Sequence, residues 1–387
     1  MKRMSVLIAS ALVLSILLMR APVTCVGPVA ESLRETLSVS YATYGVVSAL
    51  PVLMFGLAGF AAPLLFSKLS TRISLGCVLS LLSVGLALRL IESLPSLLVG
   101  TLFIGAGIAV LNTVIPVVLR HYFPGNVSKA LGIYTAATGC SSFVGALVAV
   151  PLLNATGTYA AALGIWVVFA VPAAMAWFCA DRTRLPDLRA SKKSSFSFHA
   201  FPDWFSKVPV VFTMSLQSLV VYALIAWLPT LLMSRGMDPA AAGCALSALL
   251  IGAGLASLLI APMIRLCGTE GRLSFVLTVL SIVSLLFLFL PGFWPFLACA
   301  LLSVPHGARF SLALILISKS SVSLSQMLAL SSISQGFGYI LGALGPLLCA
   351  SLYRGDGNWT GVLIFLSASC VLWGIAAIVG FAKAGKQ

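Results

Sequence analysis

The sequence predicts an all-α integral membrane protein whose twelve transmembrane helices form two pseudo-symmetric bundles of six. Three observations support this fold class: an apolar composition, twelve apolar runs of membrane-spanning length, and an internal repeat. Of the 387 residues, 60% are hydrophobic and 8% are charged, against about 25% charged in an average soluble domain. With a mean hydropathy of +1.12, a soluble fold would expose apolar surface on every side, so the bilayer is the expected solvent.

The charge and the cysteines exclude several classes of protein. The net charge of +14 comes from Lys and Arg in short connecting segments, which is not the basic stripe of a nucleic-acid-binding surface. Intrinsic disorder is excluded because it requires low hydrophobicity. The nine cysteines stand singly in apolar runs without a CxxC pair. We therefore expect them to be small packed side chains, and we expect neither a metal nor a cofactor.

Apolar runs of about 18 to 25 residues can cross the ~30 Å hydrocarbon core as helices. The first such run is not a cleaved signal peptide, because Arg20 interrupts it and no small-x-small cleavage site follows. The predicted spans are 5–27, 41–66, 74–91, 96–118, 128–152, 159–179, 208–232, 240–264, 273–291, 294–317, 325–350 and 360–382.

The distribution of Lys and Arg predicts the orientation of these spans. With the N-terminus inside, 17 of the 23 basic residues fall in cytoplasmic segments. The outer segments hold four: Arg34, Arg89, Arg235 and Arg354. Because short positively charged loops stay in the cytoplasm, we expect both termini to be cytoplasmic in a multi-pass protein of a bacterial inner membrane. The remaining two, Arg20 and Arg309, lie inside predicted spans.

A polar stretch and a repeat divide the chain into halves. Residues 181–207 form the one long polar stretch, which predicts a cytoplasmic linker between bundles 1–180 and 208–387. The segment LGIYTAATGCSSFVGAL from Leu131 matches LALSSISQGFGYILGAL from Leu328 at a constant offset of 197. A second match, Ser48-Ala49-Leu50 with Ser247-Ala248-Leu249, has an offset of 199. Two homologous halves with both termini inside are the layout of major facilitator transporters, whose repeats rock about a midplane site.

The two intramembrane arginines are the strongest candidate functional residues. The predicted spans hold no Asp or Glu, and His306 lies one turn from Arg309 on the tenth span. A charge at mid-bilayer costs at least ~2.5 to 3.5 kcal/mol on insertion scales, so such residues usually face a cavity. At an effective dielectric near 20, each Arg at ~4 Å would attract a unit anion by about 4 kcal/mol before desolvation. The guanidinium fork suits planar oxyanions.

Each of these residues also has a structural explanation, which the sequence leaves open. Arg20 could extend to the outer interface or bind backbone carbonyls, and Arg309 could pack against a kink at Pro305. His306 could be a neutral histidine between helices. Arg20 is the stronger case because Thr24 lies on its helical face at i+4 and adds a hydroxyl donor.

Polar and aromatic residues recur at matching positions of the two halves. Both sets follow i, i+4, i+8 spacing, and their members are Tyr134, Thr138 and Ser142 on the fifth span and Ser331, Gln335 and Tyr339 on the eleventh. Such a stripe either lines a cavity or joins helices, at roughly 0.6 kcal/mol per contact. Lesser candidates near prolines are Asn112, Gln217, Tyr222 and Trp227.

The sequence contains no motif that indicates an enzyme. It has no HExxH, no GxSxG elbow and no Walker sequence, so no catalytic residue is predicted. The glycine pairs Gly105/Gly107 and Gly252/Gly254 lie in apolar runs with no strand before them. They predict close helix packing, not a phosphate-binding loop.

Several segments resemble one bacterial family over nearly the whole chain. They are Arg20-Ala-Pro-Val-Thr24-Cys-Val-Gly27-Pro28, Ser48-Ala-Leu-Pro51-Val, Gly105-Ala-Gly107-Ile-Ala-Val-Leu-Asn112, Ala226-Trp227-Leu228-Pro229 and Gln335-Gly336-Phe-Gly338-Tyr339 with Gly345-Pro346. The chain is similar in these segments to the cyanate and 2-nitroimidazole transporters, the CynX/NimT group of major facilitators. The resemblance implies the major facilitator fold and secondary transport, with Arg20, Thr24, Gln335 and Tyr339 lining the central site.

The sequence thus predicts a secondary transporter that moves a small anion by alternating access, as a monomer in the lipid bilayer. Arg20 and Arg309 would be counter-ions from opposite halves. Without an acid in the spans, a co-transported proton would be carried by the substrate or by His306. The alternative is efflux of small neutral aromatic compounds that stack on Trp227, Tyr222 and Tyr339. An intramembrane enzyme or sensor would need a catalytic constellation or a signalling domain, which the sequence lacks.

Overall fold

Helices form almost all of the computed structural model, which describes residues 4–39, 41–188, 204–290, 293–353 and 358–385. No strand occurs in these ranges, and the prediction of an all-α protein is confirmed. The α-helices of the described residues are α1 Val6–Leu18, α2 Ala21–Thr24, α3 Ala30–Leu37, α4 Tyr41–Gly59, α5 Ala62–Lys68, α6 Thr71–Leu88, α7 Leu94–Tyr122, α8 Val127–Thr156, α9 Tyr159–Gly164, α10 Val167–Cys179, α11 Trp204–Ser234, α12 Pro239–Leu258, α13 Ile260–Cys267, α14 Glu270–Phe287, α15 Trp294–Lys319, α16 Leu324–Leu352 and α17 Thr360–Ala384.

The helices supply the expected number of membrane spans. Within the described residues, eleven segments are long and apolar enough to cross a bilayer. The pair Leu50–Gly59 and Ala62–Lys68, bent by 48°, supplies a twelfth and occupies the predicted second span. Large apolar side chains such as Leu147, Met175 and Phe275 are more than half exposed, as expected for faces that contact lipid tails.

Local sequence signals set several helix ends. The side chains of Ser93, Asp238 and Thr269 accept the amide hydrogen of the residue three positions later and so begin α7, α12 and α14. Left-handed residues end α3 and α11, at Ser38 (φ 50°) and Gly236 (φ 89°). After each of them, the next amide donates to the carbonyl five residues earlier, at 3.1 and 3.2 Å. These two caps are 198 residues apart, so the internal repeat is also present in the backbone.

The described chain forms two compact units. Unit 1 contains Met1–Pro124, Ala137–Ala200 and Ser323–Ser332, and unit 2 contains Gly125–Ala136, Phe201–Val322 and Ile333–Gln387. These units follow the two predicted bundles except at one short segment of α8 and one of α16. The bundle limits 1–180 and 208–387 stay predictions.

Close helix crossings and a buried hydrogen bond hold unit 1 together. A Cβ atom added to Gly85 on α6 or to Gly100 on α7 would lie 2.7 or 2.6 Å from the other residue's carbonyl oxygen. The indole Nε1 of the fully buried Trp177 on α10 donates to Ser15 Oγ on α1 at 3.0 Å. Small residues therefore bring these backbones together, as is typical of membrane helices.

Unit 2 contains the closest crossing of the described chain. A Cβ atom on Gly307 of α15 would lie 1.8 Å from the carbonyl oxygen of Ala253 on α12. The Ser257 hydroxyl lies within hydrogen-bond distance of both the Ala253 carbonyl, at 3.0 Å, and the Gly307 carbonyl, at 3.1 Å. Lys319 at the end of α15 forms an ion pair of 2.5 Å with Glu270 at the start of α14. The packing of α12 and α14 against α15 is thus set by a glycine and by an ion pair.

The predictions for glycines and cysteines are correct in part. Close packing is confirmed for Gly105, Gly107 and Gly252 but is wrong for Gly254, which has no atom within 4 Å of an added Cβ. The buried cysteines are Cys25, Cys299, Cys349 and Cys370, whereas the expectation of packed thiols is wrong for the exposed Cys77, Cys140, Cys179 and Cys244. These four lie on apolar helices, so their faces suit lipid contact. The described residues contain no group of His, Cys, Asp or Glu that could hold a metal ion.

The predicted linker begins with an ordered segment. The carbonyls of Arg184 and Pro186 accept hydrogen bonds from Tyr122 Oη at 2.8 Å and from Thr71 Oγ1 at 2.6 Å. Hydrogen bonds from Thr183 lower the pKa of the exposed Asp181 carboxyl. Residues 181–188 therefore pack on the ends of α6 and α7, while residues 189–203 lie outside the described residues.

The seventh span begins before its predicted start at residue 208. Helix α11 begins at Trp204, and the buried Lys207 donates from Nζ to the Ser320 carbonyl at 2.8 Å. Lys207 caps a helix end within unit 2 because that carbonyl, directly after α15, has no helical partner.

Candidate functional site

The first membrane span is broken in its C-terminal half. Helix α1 ends at Leu18 and α2 begins at Ala21, and between them Arg20 has φ −130° and ψ −41°, outside the helical region. Pro22 contributes to the break because its ring nitrogen has no hydrogen to donate to the carbonyl four residues earlier. Non-helical backbone at membrane depth is tolerated only inside a protein or along a cavity.

A serine from another helix occupies the break. The amide of Ala21 donates to Ser141 Oγ at 3.0 Å, and this hydroxyl donates in turn to the Leu17 carbonyl. In an unbroken helix, that carbonyl and that amide would be bonded to each other. The Ser141 side chain, on α8 and almost fully buried, is therefore inserted into the hydrogen-bond ladder of the first span.

The second half of the chain shows the same crossing without the inserted side chain. At the repeat offset of 197, Gly338 on α16 corresponds to Ser141. A Cβ atom on Gly338 would lie 3.4 Å from the Met214 carbonyl oxygen and 3.4 Å from Ser218 Oγ. Both residues belong to α11, which is unbroken from Trp204 to Ser234. The break therefore occurs in the half where the crossing residue has a hydroxyl.

Arg20 lies at this break within unit 1. Its side chain is half-buried, and its Cζ atom lies 5.5 Å from the centre of the Phe55 ring on α4. Contact with an aromatic face orients a guanidinium without using its hydrogen-bond donors. The Arg20 carbonyl accepts the amides of Val23 and Thr24, at 2.9 and 3.0 Å. The backbone of Arg20 thus starts α2.

Thr24 joins α2 to α8. Its hydroxyl is 2.8 Å from the Ser142 carbonyl, closer than to the Arg20 carbonyl at 3.2 Å. A hydroxyl has one hydrogen to donate, so the Thr24 donor expected for a ligand is used within the protein. A Cβ atom on Gly145 would lie 2.4 Å from Thr24 Oγ1 and 2.5 Å from the Ala21 carbonyl oxygen. Only glycine allows this approach of the two backbones.

The other polar candidates are mostly buried within one unit or the other. Asn112 and Thr138 belong to unit 1, whereas Tyr134, Gln335 and Tyr339 belong to unit 2, and all five side chains are buried. Tyr222 and Tyr339 form an edge-to-face pair with ring centres 6.3 Å apart. At the repeat offsets of 198 and 197, Tyr222 on α11 corresponds to Thr24 on α2, and Tyr339 on α16 corresponds to Ser142 on α8.

Trp227 connects two helices of unit 2. Its indole Nε1 donates to the Pro346 carbonyl at 2.9 Å, and its ring centre is 5.9 Å from those of both Tyr353 and Trp359. These two rings are themselves stacked, with centres 4.2 Å apart. The Trp227 donor expected for a substrate is thus bound to α16, and the residue belongs to an aromatic cluster that joins α11, α16 and the start of α17.

The contacts of Arg309 favour the structural alternative to ligand binding. The side chain is 3% exposed. One Nη2 hydrogen is donated to Ser281 Oγ on α14, and the Cζ atom lies 4.7 Å from the ring centre of Trp373 on α17. The partners are therefore two neighbouring helices, not the expected kink at Pro305. His306 is half-buried one turn earlier on α15.

Sequence reasoning missed two residues at the broken span. Ser141 stands next to the predicted stripe, and its alignment with Gly338 was the available signal. Arg89 was expected in an outer segment; it lies between α6 and α7, and its side chain is 0% exposed. It donates from Nη1 to the Pro22 carbonyl at 2.5 Å and from Nη2 to Thr101 Oγ1 at 2.9 Å. No local pattern distinguishes such an arginine from a loop residue.

The described membrane-spanning helices hold one acidic residue. Glu270 is the first residue of α14 and is paired with Lys319. These described helices therefore hold no other carboxylate that could carry a proton.

Comparisons with known proteins agree with this architecture. Residues 12–343 match the Major Facilitator Superfamily. The chain is 32% identical to an uncharacterized transporter, YycB, of Bacillus subtilis (strain 168), covering 92% of this chain and 89% of the relative. It is 30% identical to the 2-nitroimidazole transporter of Escherichia coli (strain K12), covering 97% and 96%. It is 28% identical to the cyanate transport protein CynX of the same organism, covering 90% of each.

A solved structure supports the fold alone. The human organic anion transporter MFSD10 (TETRAN) superposes with a TM-score of 0.77 at 16% identity, covering 96% of this chain and 99% of that one. The family match spans most of the sequence and the helices supply up to twelve spans. The chain belongs to the Major Facilitator Superfamily, as a secondary transporter similar to the cyanate and 2-nitroimidazole transporters and not as an enzyme.

Proposed function

We propose that this transporter moves a small anion across a bacterial cytoplasmic membrane by alternating access, with Arg20 as the anion-binding residue. The observation that supports it is the position of Arg20 at a break in a membrane-spanning helix. Broken helices place backbone and side-chain groups at the binding sites of many transporters. A guanidinium within a span is also costly unless it faces a cavity or a partner.

The surroundings of Arg20 suit a small anion. The Phe55 ring lies at 5.5 Å from Cζ and limits the directions in which the guanidinium can turn, while its fork can donate two parallel hydrogen bonds. One relative at 28% identity is a cyanate transport protein, and cyanate is a small monovalent anion. The proposal extends this chemistry, but not a specific substrate, to the present chain.

Arg309 has a different part in this proposal. Its guanidinium is shared between Ser281 and Trp373, so we assign it to the packing of α14, α15 and α17. Anion binding then depends on Arg20 alone, and the expected pair of counter-ions is reduced to one. A monomer with both termini in the cytoplasm, and a proton carried by the substrate or by His306, complete the proposal.

A second candidate is export of small neutral heterocycles. The edge-to-face pair of Tyr222 and Tyr339 offers aromatic surface to a flat ring, and one relative at 30% identity is a 2-nitroimidazole transporter. In this case, substrate binding would depend on the aromatic pair and not on Arg20.

Thermal stabilisation of the purified protein separates these candidates. We expect cyanate or a small carboxylate to raise the melting temperature of wild type and of Tyr339→Ala, but not of Arg20→Ala. Stabilisation by 2-nitroimidazole that persists in Arg20→Ala and disappears in Tyr339→Ala would contradict the anion proposal. Cyanate uptake into proteoliposomes then tests whether the stabilising ligand is transported.

A further inference from the structure

Arg89 is a fully buried cation beside the broken span. It follows α6, and its guanidinium contacts α7 through Thr101 and the first span through the Pro22 carbonyl. Nε also donates to Thr101 Oγ1, at 3.3 Å. Among the residues whose side chains the structure describes, Arg89 forms no ion pair with a carboxylate. A buried charge without an ion-pair partner is costly. The hydrogen bonds of Arg89 must therefore offset that cost by satisfying groups that would otherwise lack a donor.

The Pro22 carbonyl is the group that needs a hydrogen-bond donor. Helix α2 ends at Thr24, and the amide of Val26, which would bind the Pro22 carbonyl in a continued helix, donates to Val23 at 3.4 Å. The Pro22 carbonyl therefore has no backbone donor. An unpaired carbonyl inside a membrane protein costs free energy because no water replaces the lost partner. The Arg89 guanidinium at 2.5 Å satisfies it.

The second half of the chain provides an internal comparison. The two helix caps are 198 residues apart. At this offset, Val220 is the position equivalent to Pro22, and Phe287 is the position equivalent to Arg89. Val220 lies inside the unbroken α11, where its carbonyl bonds within the helix, and Phe287 is apolar. The buried cation thus accompanies the broken span and has no counterpart where the span is continuous.

We infer that Arg89 is a positioning residue for transport: it holds the segment from Arg20 to Cys25 in the broken conformation that presents the Arg20 guanidinium. The inference rests on the proposed function, since it is Arg20 that would bind the anion. Thr101 contributes to the same arrangement, because its Oγ1 accepts hydrogen bonds from both Nε and Nη2 of Arg89.

Cys25 is a native probe of this segment. It directly follows α2 and is fully buried, so a thiol reagent reaches it only when the segment moves. The other eight cysteines are replaced by serine or alanine, and the labelling rate of Cys25 by a small maleimide is measured in purified full-length protein. We expect Arg89→Met to raise this rate at least tenfold and Arg89→Lys to raise it by less.

Arg309→Met is the matched control for the labelling, because it also removes a buried guanidinium with a single hydroxyl acceptor, in unit 2. We expect it to leave the Cys25 rate unchanged. An unchanged rate in folded Arg89→Met would overturn the inference, as would an equal rise in both methionine variants. If Arg89→Met does not fold, Thr101→Val decides: a rise of threefold or more supports the inference, and an unchanged rate overturns it.

Cyanate uptake supplies a second measurement that a purely structural residue would not change in this way. We expect Arg89→Met to raise the KM for cyanate at least tenfold with a Vmax per folded protein within about threefold of wild type, and Arg89→Lys to restore part of the KM. A loss confined to Vmax would overturn the inference. Because the labelling needs no substrate, wild-type protein that protects Cys25 but binds neither cyanate nor a small carboxylate would overturn the proposed function alone.

Discussion

The hydroxyl of Ser141 accepts the amide hydrogen of Ala21 at 3.0 Å, in the place of the carbonyl that would accept it in an unbroken helix. The fifth span therefore holds open a break in the first. Any movement that separates α8 from the first span must break this hydrogen bond and the one from Thr24 to the Ser142 carbonyl. The geometry of the proposed anion site is thereby coupled to the packing of two membrane helices.

Ser141→Ala should weaken anion binding. The substitution leaves the Leu17 carbonyl and the Ala21 amide without their common partner, so they either pair with each other and close the break or stay unpaired. We expect cyanate affinity to fall at least tenfold in a thermal-shift titration, and the free energy of unfolding to fall by about 1 to 3 kcal/mol.

Ser15→Ala is the matched control for this change. Ser15 is a buried serine on α1 that accepts the indole hydrogen of Trp177 at 3.0 Å, away from the break. It should lower stability by a similar amount and leave cyanate affinity unchanged. Equal losses of affinity in both variants would show that Ser141 has no special relation to the site.

Arg20→Lys should fail to restore anion binding. Lysine retains the charge but presents a point charge on a flexible chain instead of a planar fork, and it packs less well on the Phe55 ring. We expect at least a tenfold loss of cyanate affinity for Arg20→Lys and a complete loss for Arg20→Ala, with monodisperse protein in both cases. Wild-type affinity in the lysine variant would rule out recognition by the fork.

Gly145→Ala should separate α2 from α8. Its new methyl group would lie 2.5 Å from the Ala21 carbonyl oxygen, and backbone cannot yield as a flexible side chain can. We expect a lower melting temperature and loss of cyanate uptake. Gly254→Ala is the control: its methyl group meets no atom within 4 Å in the middle of α12, so it should gain up to ~1 kcal/mol of helix propensity. A neutral Gly145→Ala would argue against the close crossing.

Single cysteines test the predicted orientation. In a cysteine-free background, Ser195→Cys in the predicted linker should resist a membrane-impermeant thiol reagent added to intact cells, and Gly355→Cys should react. Both positions lie outside the described residues, so this prediction depends only on the distribution of Lys and Arg. Labelling with the opposite sidedness would contradict cytoplasmic termini.

Much of the fold could be predicted because, in a bilayer, the hydropathy of a short stretch of sequence is enough to decide whether that stretch forms a spanning helix. A run of about twenty apolar residues must be helical to satisfy its own backbone, and this is why the all-α architecture and up to twelve spans were readable from composition and length. The repeat was readable because glycines at close crossings, such as Gly145 and Gly342, recur at one offset. The intramembrane position of Arg20 stood out for the same reason: charges are rare in apolar runs.

The details of the site could not be predicted, because they depend on which side chains meet. The break before Ala21 requires Ser141, which is more than a hundred residues away in sequence, and Pro22 alone does not specify its geometry. Arg89 was indistinguishable from a loop charge until α6 and α7 placed it against the Pro22 carbonyl. From the sequence, Arg309 could be a counter-ion or a packing residue, and only the fold places Ser281 and Trp373 beside its guanidinium.

The sequence by itself therefore determined the solvent, the helices and the repeat, since each follows from local composition or from a constant spacing along the chain. Only the tertiary structure decided which cation is engaged in packing and which stands at a broken helix. The physical reason is that an arginine in a membrane must be satisfied by some partner, and that partner comes from distant helices. In unit 1 this leaves Arg20 at the break and assigns Arg89 to the backbone that forms it.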